Sequence, residues 1–240
     1  MLQMLLAAPR SGSGKTTVTC ALLAAMQARG MTPCAFKSGP DYIDPMFHRA
    51  VLGVQSHNLD LFFSSPETVR SLYAQYAAGH GAAVCEGAMG FYDGLGGTSD
   101  TASAWHLADT LNLPVLLVVR PKGASLTLAA EVRGLMQFRA PHHIAGILLN
   151  DCSETLYKLL KPMLERETEL PVAGYLPPMP EVCIESRHLG LKTAAEIDDL
   201  QQKIKILSET AQKTINWALL QARLDRPAPT AVRPHTPPPR

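Results

Sequence analysis

Lys15 and Thr16 close the segment Pro9-Arg10-Ser11-Gly12-Ser13-Gly14, which joins an apolar run to a helical pattern. A strand–glycine loop–helix junction ending in Lys-Thr is the setting of a phosphate-binding loop. Gly12 and Gly14 let the backbone turn its N–H groups inward onto phosphate oxygens, and the helix N-terminus adds its positive end. Lys15 then reaches the outer phosphates and the Thr16 hydroxyl is placed to ligate Mg²⁺. Gly12, Ser13, Gly14, Lys15, Thr16 and Thr17 are therefore the nucleotide-binding candidates. The usual first glycine of such loops is Pro9 here.

Two acidic segments follow short apolar runs: Lys37-Ser38-Gly39-Pro40-Asp41-Tyr42-Ile43-Asp44-Pro45 and Glu86-Gly87-Ala88-Met89-Gly90-Phe91-Tyr92-Asp93-Gly94. Each taken alone also fits a capped turn or a glycine-rich loop. On one sheet edge with the phosphate loop, they supply hard oxygens for magnesium. Asp41 and Glu86 are the expected metal pair, with Asp44 and Asp93 further out where a substrate would sit. Lys37 is a cation for a carboxylate or a γ-phosphate. The glycine-dense stretch from Gly87 to Gly97 reads as a mobile lid.

Short apolar strands alternating with helices predict a parallel sheet covered on both faces, with ligands beyond the carboxyl ends of its strands. Strands are expected at 2–8, 33–36, 82–85, 114–119, 144–149 and 172–176. Helices are expected at 15–29, 66–78, 99–111, 125–138, 153–167 and, as one long element, 193–224. From Pro227 onward the chain carries six prolines and reads as extended polyproline-type chain. The division is thus a body over residues 1–225 and a Pro-rich linker or tail over 226–240.

The 240 residues are 46% hydrophobic and 18% charged, with a net charge of +1. That composition suits a globular protein and gives no basic field for nucleic acid. No apolar stretch approaches the ~20 residues that span a bilayer, and the N-terminus lacks a basic region, so membrane association and a signal peptide are not expected. Five scattered cysteines without CxxC spacing read as reduced, buried thiols of a cytoplasmic protein.

The segments SGSGKTT, KSGPDYIDPMFH, SHNLDLF, CEGAMGFYDG and RHLGLKTAAE, in this order, resemble the N-terminal synthetase domain of cobyrinic acid a,c-diamide synthases. That domain is similar in fold to dethiobiotin synthetase, a P-loop NTPase-type α/β sheet. The resemblance covers residues 1 to about 225. It implies ATP-dependent amidation of two acetate side chains of a corrinoid through an acyl phosphate, within cobalamin biosynthesis. By motif match, Lys15 and Thr16 go to ATP and Mg²⁺, and Asp41 and Glu86 to the metal. Tyr42, Asp44 and Asp93 go to substrate binding or the amide-forming step. Asn150 resembles the adenine-reading asparagine of related synthetases, and also fits a simple turn. The family is compatible with a homodimer.

Three departures stand out. Members usually continue into a glutaminase domain that makes ammonia, and no glutaminase triad is present in this sequence. A truncated chain or a separate ammonia-supplying subunit is therefore expected. Arg120 stands where many members have Asp, and Asn150-Asp151 replaces the more usual Asn-Arg. The loop Arg187–Leu191 resembles one near the nucleotide, or is an exposed connection. Hydrogenobyrinic acid and nickel-sirohydrochlorin present similar acetates and are alternative substrates. A partitioning-type switch ATPase shares the fold, but usually carries a lysine where Arg10 stands. An inactive remnant that has lost its ammonia source is the remaining alternative.

Overall fold

A computed structural model describes residues 1–182 and 194–230. The loop at 187–191, Cys183 and residues 231–240 of the Pro-rich tail lie outside the described residues.

Seven strands form one parallel sheet in the order β3-β2-β4-β1-β5-β6-β7. They are β1 (Leu2–Ala7), β2 (Pro33–Ser38), β3 (Ser56–Leu59), β4 (Ala82–Glu86), β5 (Val115–Val119), β6 (Ile144–Asn150) and β7 (Val172–Leu176). The described helices are α1 (Lys15–Ala28), α2 (Ile43–Leu52), α3 (Pro66–Ala77), α4 (Ala104–Leu111), α5 (Leu126–Phe138), α6 (Glu154–Thr168), α7 (Ala194–Thr214) and α8 (Trp217–Leu224). Successive strand side chains face opposite sides, so a strand buried on both must be apolar throughout. In β1, Met4 and Leu6 join a core with α1, α2, α7 and α8. Leu5 and Ala7 join a second core with α3, α4, α5 and α6.

The structure corrects the sequence reading at four places. α2 and β3 were not expected. β3 is Ser-His-Asn-Leu at the sheet edge and is held by its polar side chains as well as its ladder. Ser56 Oγ lies 3.0 Å from His48 Nδ1, and Asn58 Nδ2 donates to the carbonyls of Gly39 and Asp41. α4 starts at Ala104 rather than Ser99, because Ser103 caps it by accepting the His106 N–H. The expected single helix at 193–224 is two. Ile215 forms a bridge with Gly174, Asn216 N donates to the Ala173 carbonyl at 2.7 Å, and the Asn216 side chain caps α8. At Gly174 an added Cβ would lie 2.4 Å from the Thr214 carbonyl oxygen, so only glycine admits the chain there.

Beyond α8 the chain crosses the amino edge of the sheet. Asp225 bridges to Leu2, and Gln3 Nε2 donates to the Pro227 carbonyl at 2.7 Å while its Oε1 accepts from Tyr73 Oη. This is the edge opposite the phosphate loop. Cys20, Cys34, Cys85 and Cys152 are buried free thiols. Among the described residues no helix is long and apolar enough to cross a membrane.

Candidate active site

The carboxyl ends of β1, β2, β4 and β6 open into a cleft of about 1050 Å³. Gly12, Gly14, Lys15, Thr16, Thr17, Lys37, Asp41, Asp44, Glu86 and Asn150 all line it. Most of the residues singled out in the sequence thus meet in one place. Ser13 is buried behind the loop, where its Oγ donates to the Arg10 carbonyl. Tyr42 and Asp93 are not part of the cleft wall. Tyr42 is exposed at the start of α2, and Asp93 is exposed with one oxygen accepting the Gly90 N–H.

The phosphate loop enters α1 through Gly14 at φ 87°, a left-handed conformation that disfavours a side chain. Asn150, from the end of β6, donates its Nδ2 to the Ser13 carbonyl at 3.0 Å. A Cβ on Gly14 would lie 2.0 Å from that nitrogen. Asn150 is thus a strut under the loop as well as a wall of the cleft. Thr16 Oγ1 donates to Glu86 Oε1 at 2.7 Å, and Lys15 Nζ donates to the Met89 carbonyl. Burial lowers the Lys15 pKa, with Glu86 opposing it.

Lys37 is the centre of the acidic cluster. Its Nζ lies 2.5 Å from Asp44 Oδ2, 2.8 Å from Glu86 Oε1 and 3.9 Å from Asp41 Oδ2. Burial disfavours its charge, but Glu86 and Asp44 outweigh burial and raise its pKa. Burial and the nearby Glu86 raise the Asp44 pKa. Burial also opposes charge on Glu86, but Lys37 and the Thr16 hydroxyl hold its pKa down. The expectation that Asp44 lies further out is wrong: Asp44 is 5% exposed and locked to Lys37. The turn that carries it runs on into α2, which swings Asp44 back beneath Asp41. Asp41 Oδ1 accepts the Ile43 N–H at 2.8 Å, so one of its oxygens starts α2 while the other faces Lys37. The glycine-dense loop is also more tied than a free lid. Gly94 N donates to Ser99 O, Leu95 N to Thr101 O, and Phe91 is buried beneath.

Sequence reasoning missed His48, which sits one helical turn after Asp44 on α2. The spacing i, i+4 was the available signal. His48 is fully buried, and its Nε2 and Glu86 Oε2 are buried atoms without a hydrogen-bond partner among the described residues. Burial lowers the His48 pKa to about 4. A folded pKa below the unfolded value of 6.5 contributes stability that is present above pH 6.5 and lost as pH falls toward 4. The full loss is about 3 kcal/mol. His48→Gln should therefore flatten the pH dependence of urea unfolding between pH 6.5 and 4. Equal slopes in both proteins would show that His48 titrates alike in the folded and unfolded states.

The two charge departures of the sequence turn out to be one feature. Arg120 Nε donates to Asp151 Oδ2 at 2.7 Å, and both residues line the cleft beside Asn150. Arg at the first place and Asp at the second reverse the expected signs together and keep a pair. Both side chains are about one-third exposed, so the pair itself contributes about 1 kcal/mol or less. Arg120→Asp alone places two negative charges at a cleft that must admit a polyanion and should weaken nucleotide binding roughly three- to tenfold. Adding Asp151→Arg should restore it. Titration with a fluorescent ATP analogue checks this, and additive losses in the double variant would show that the residues act separately.

A seven-stranded parallel sheet with helices on both faces and a lysine–threonine phosphate loop at its first turn defines a P-loop-type nucleotide-binding protein. Residues 4–191 match the family described as CbiA, the CobQ/CobB/MinD/ParA nucleotide binding domain, and the chain belongs to that family. It is 42% identical over 217 residues to a cobyrinate a,c-diamide synthase of Clostridium acetobutylicum, a match covering 90% of this chain and 49% of that protein. It is 39% identical over 235 residues to the synthase of that name in Salmonella typhimurium, covering 97% of this chain and 51% of that protein. The chain therefore spans about half the length of these curated relatives. Among solved structures, chloroplast FtsY from Physcomitrella patens superposes with a TM-score of 0.55 at 14% identity, covering 85% of this chain and 65% of that one. At that identity the likeness is one of fold.

Proposed function

We propose that this chain is the ATP-dependent synthetase part of a cobyrinate a,c-diamide synthase, spanning residues 1–225, with 226–240 a Pro-rich linker or tail. The observation that carries this reading is the Lys37–Asp44–Glu86 cluster beside the Lys15–Thr16 loop, in a chain whose relatives bear that name. A carboxylate does not exchange its oxygen for ammonia directly, because hydroxide or oxide is a poor leaving group. Transfer of the γ-phosphoryl group of ATP to the carboxylate makes an acyl phosphate. Ammonia then adds to that carbonyl and phosphate leaves. The a- and c-acetates would react in turn.

The residues fit these needs. The loop backbone N–H groups and Lys15 hold the phosphates and stabilise charge as the phosphoryl group moves. The Nδ2 of Asn150 is held by Ser13, which leaves its Oδ1 as an acceptor suited to an adenine amino group. Lys37 orients Asp44 and Glu86 and brings a cation toward the carboxylate and phosphoryl oxygens. Tyr42 and Asp93, outside the cleft wall, would contact the substrate or assist the amide-forming step. Thr16, Glu86 and Asp41 would hold magnesium. The buried, partnerless Oε2 of Glu86 suits a hard cation, which takes its remaining ligands from phosphate and water. When bound, that ion neutralises charge on the transferred group.

Ammonia would come from a glutaminase domain or subunit, or free from solution. Four buried free thiols suit a cytoplasmic setting and a homodimer suits the family. The switch-ATPase reading is weaker, because Arg10 is engaged by Glu131 of α5 within the same chain. The test is mass spectrometry of cobyrinic acid incubated with the protein, Mg-ATP and a high concentration of ammonium. Mono- and diamide products are expected. ATP hydrolysis with an unchanged corrinoid would instead favour hydrogenobyrinic acid, nickel-sirohydrochlorin or a switch ATPase.

A further inference from the structure

Ten large hydrophobic side chains are exposed among the described residues, and six of them lie at the carboxyl ends of three neighbouring strands. Tyr42, Ile43 and Met46 are at the start of α2 after β2, Phe62 and Phe63 follow β3, and Met89 follows β4. Tyr42 is 78% exposed and Phe63 75%, far more than buried anchors of a core would be. The register pairs Ser38 with Leu59, so the turns at 39–42 and 60–63 leave the sheet side by side. Asn58 Nδ2 ties the two turns together through the Gly39 and Asp41 carbonyls. Phe62 and Phe63 pack edge to face, with centroids 4.6 Å apart, and Asp60 Oδ1 fixes the turn by accepting the Phe62 N–H.

We infer that the Phe62–Phe63 turn, together with Tyr42, Met46 and Met89, is a shelf for the flat, conjugated face of a macrocyclic substrate. This rests on the acyl-activation reading above. Ile43 and Met89 reach that site and line the cleft itself. Tyr42 and Ile43 stand between Asp41 and Asp44, and the carbonyl of Met89 receives Lys15. β3 lies three strands from β1, about 14 Å at ordinary strand spacing. A small linear acid anchored at Lys15 ends well before the β3 turn. A macrocycle that carries its acid on a short arm extends over it. Aromatic rings and polarizable thioethers offer a π-face stacking and sulfur–aromatic contacts. On the other side of the phosphate loop the cleft is lined by Arg120, Asp151 and the Pro177–Pro180 turn after β7, which carries no aromatic side chain.

The test uses the 240-residue chain with cobyrinic acid as the probe and a non-hydrolysable ATP analogue present. Binding is followed by equilibrium dialysis and the corrin visible spectrum. Phe62→Ala/Phe63→Ala should raise the corrinoid Kd and KM about tenfold, leaving kcat and the KM for ATP unchanged. Phe63→Trp should retain affinity. Corrinoid binding by the parent chain that is equal in the double alanine variant overturns the shelf alone. ATP binding without binding of cobyrinic acid by the parent chain overturns the cobyrinate reading and the shelf for this macrocycle with it. A dimer that dissociates in the variant, with corrinoid affinity unchanged, overturns the shelf and makes this face an interface between copies.

Discussion

Lys37→Met should cost about 3–5 kcal/mol of stability at pH 8 and abolish ATP-dependent amidation. Lys37 is the cation between two acids that are almost fully buried, Asp44 and Glu86. Methionine fills most of the space but leaves two carboxylates facing each other in low dielectric. Removing one partner of a buried ion pair is far more damaging than replacing the whole pair, because the stranded charge has no water to return to. The pH dependence follows from the sign. Burial and Glu86 already raise the Asp44 pKa, and without Lys37 it rises further. A carboxyl whose folded pKa lies above its unfolded value gains stability at low pH and loses it as pH rises through the folded pKa. The deficit of Lys37→Met should therefore shrink on acidification from pH 8 to pH 5. Adding Asp44→Asn should recover much of the stability, but not the activity. Urea unfolding of the three proteins at both pH values is the measurement. Equal midpoints for parent and Lys37→Met at pH 8 would mean that the acids find other partners.

The parts of the fold visible in the sequence are those whose residues are chosen by burial alone. β1, β4, β5, β6 and β7 are apolar on both faces, and the sequence boundaries of these strands fall within a residue or so of the structure. The phosphate loop was legible because its glycines and its lysine–threonine pair act through local backbone geometry. β3 was not, since Ser56, His57 and Asn58 are polar and their reasons lie elsewhere in the chain: a buried imidazole and two carbonyls of the preceding turn. Asp44 was misplaced for the same kind of reason. An Asp-Pro turn reads as surface until Lys37 is known to stand beneath it. The break between α7 and α8 has no proline or glycine to announce it and is set by pairing with Gly174 on β7. Arg120 and Asp151 each looked anomalous alone, and only their contact across the ends of β5 and β6 makes them intelligible.

Lys15→Ala should separate chemistry from stability, which Lys37→Met cannot. Among the described residues the Lys15 side chain makes one hydrogen bond, to the Met89 carbonyl, and its charge is already disfavoured by burial. Neither acid of the buried cluster depends on it for a partner, because Lys37 supplies both. Deleting its side chain therefore loses a single contact of about 1 kcal/mol and relieves a desolvated ammonium, so the thermal midpoint should stay within a few degrees. Catalysis responds differently. When ATP enters, Lys15 must leave Met89 and turn to the phosphates, where it is a preorganised positive charge in a cleft walled by the sheet. Loss of one such group costs on the order of 10²–10³ in turnover. Phosphate release and amide formation should fall together by that factor, with a near-unchanged melting curve. Unchanged turnover would remove the nucleotide from this loop. A collapse of the melting curve would show instead that the Lys15–Met89 contact holds the β1 and β4 turns together, and that this lysine, like Lys37, is a structural cation first.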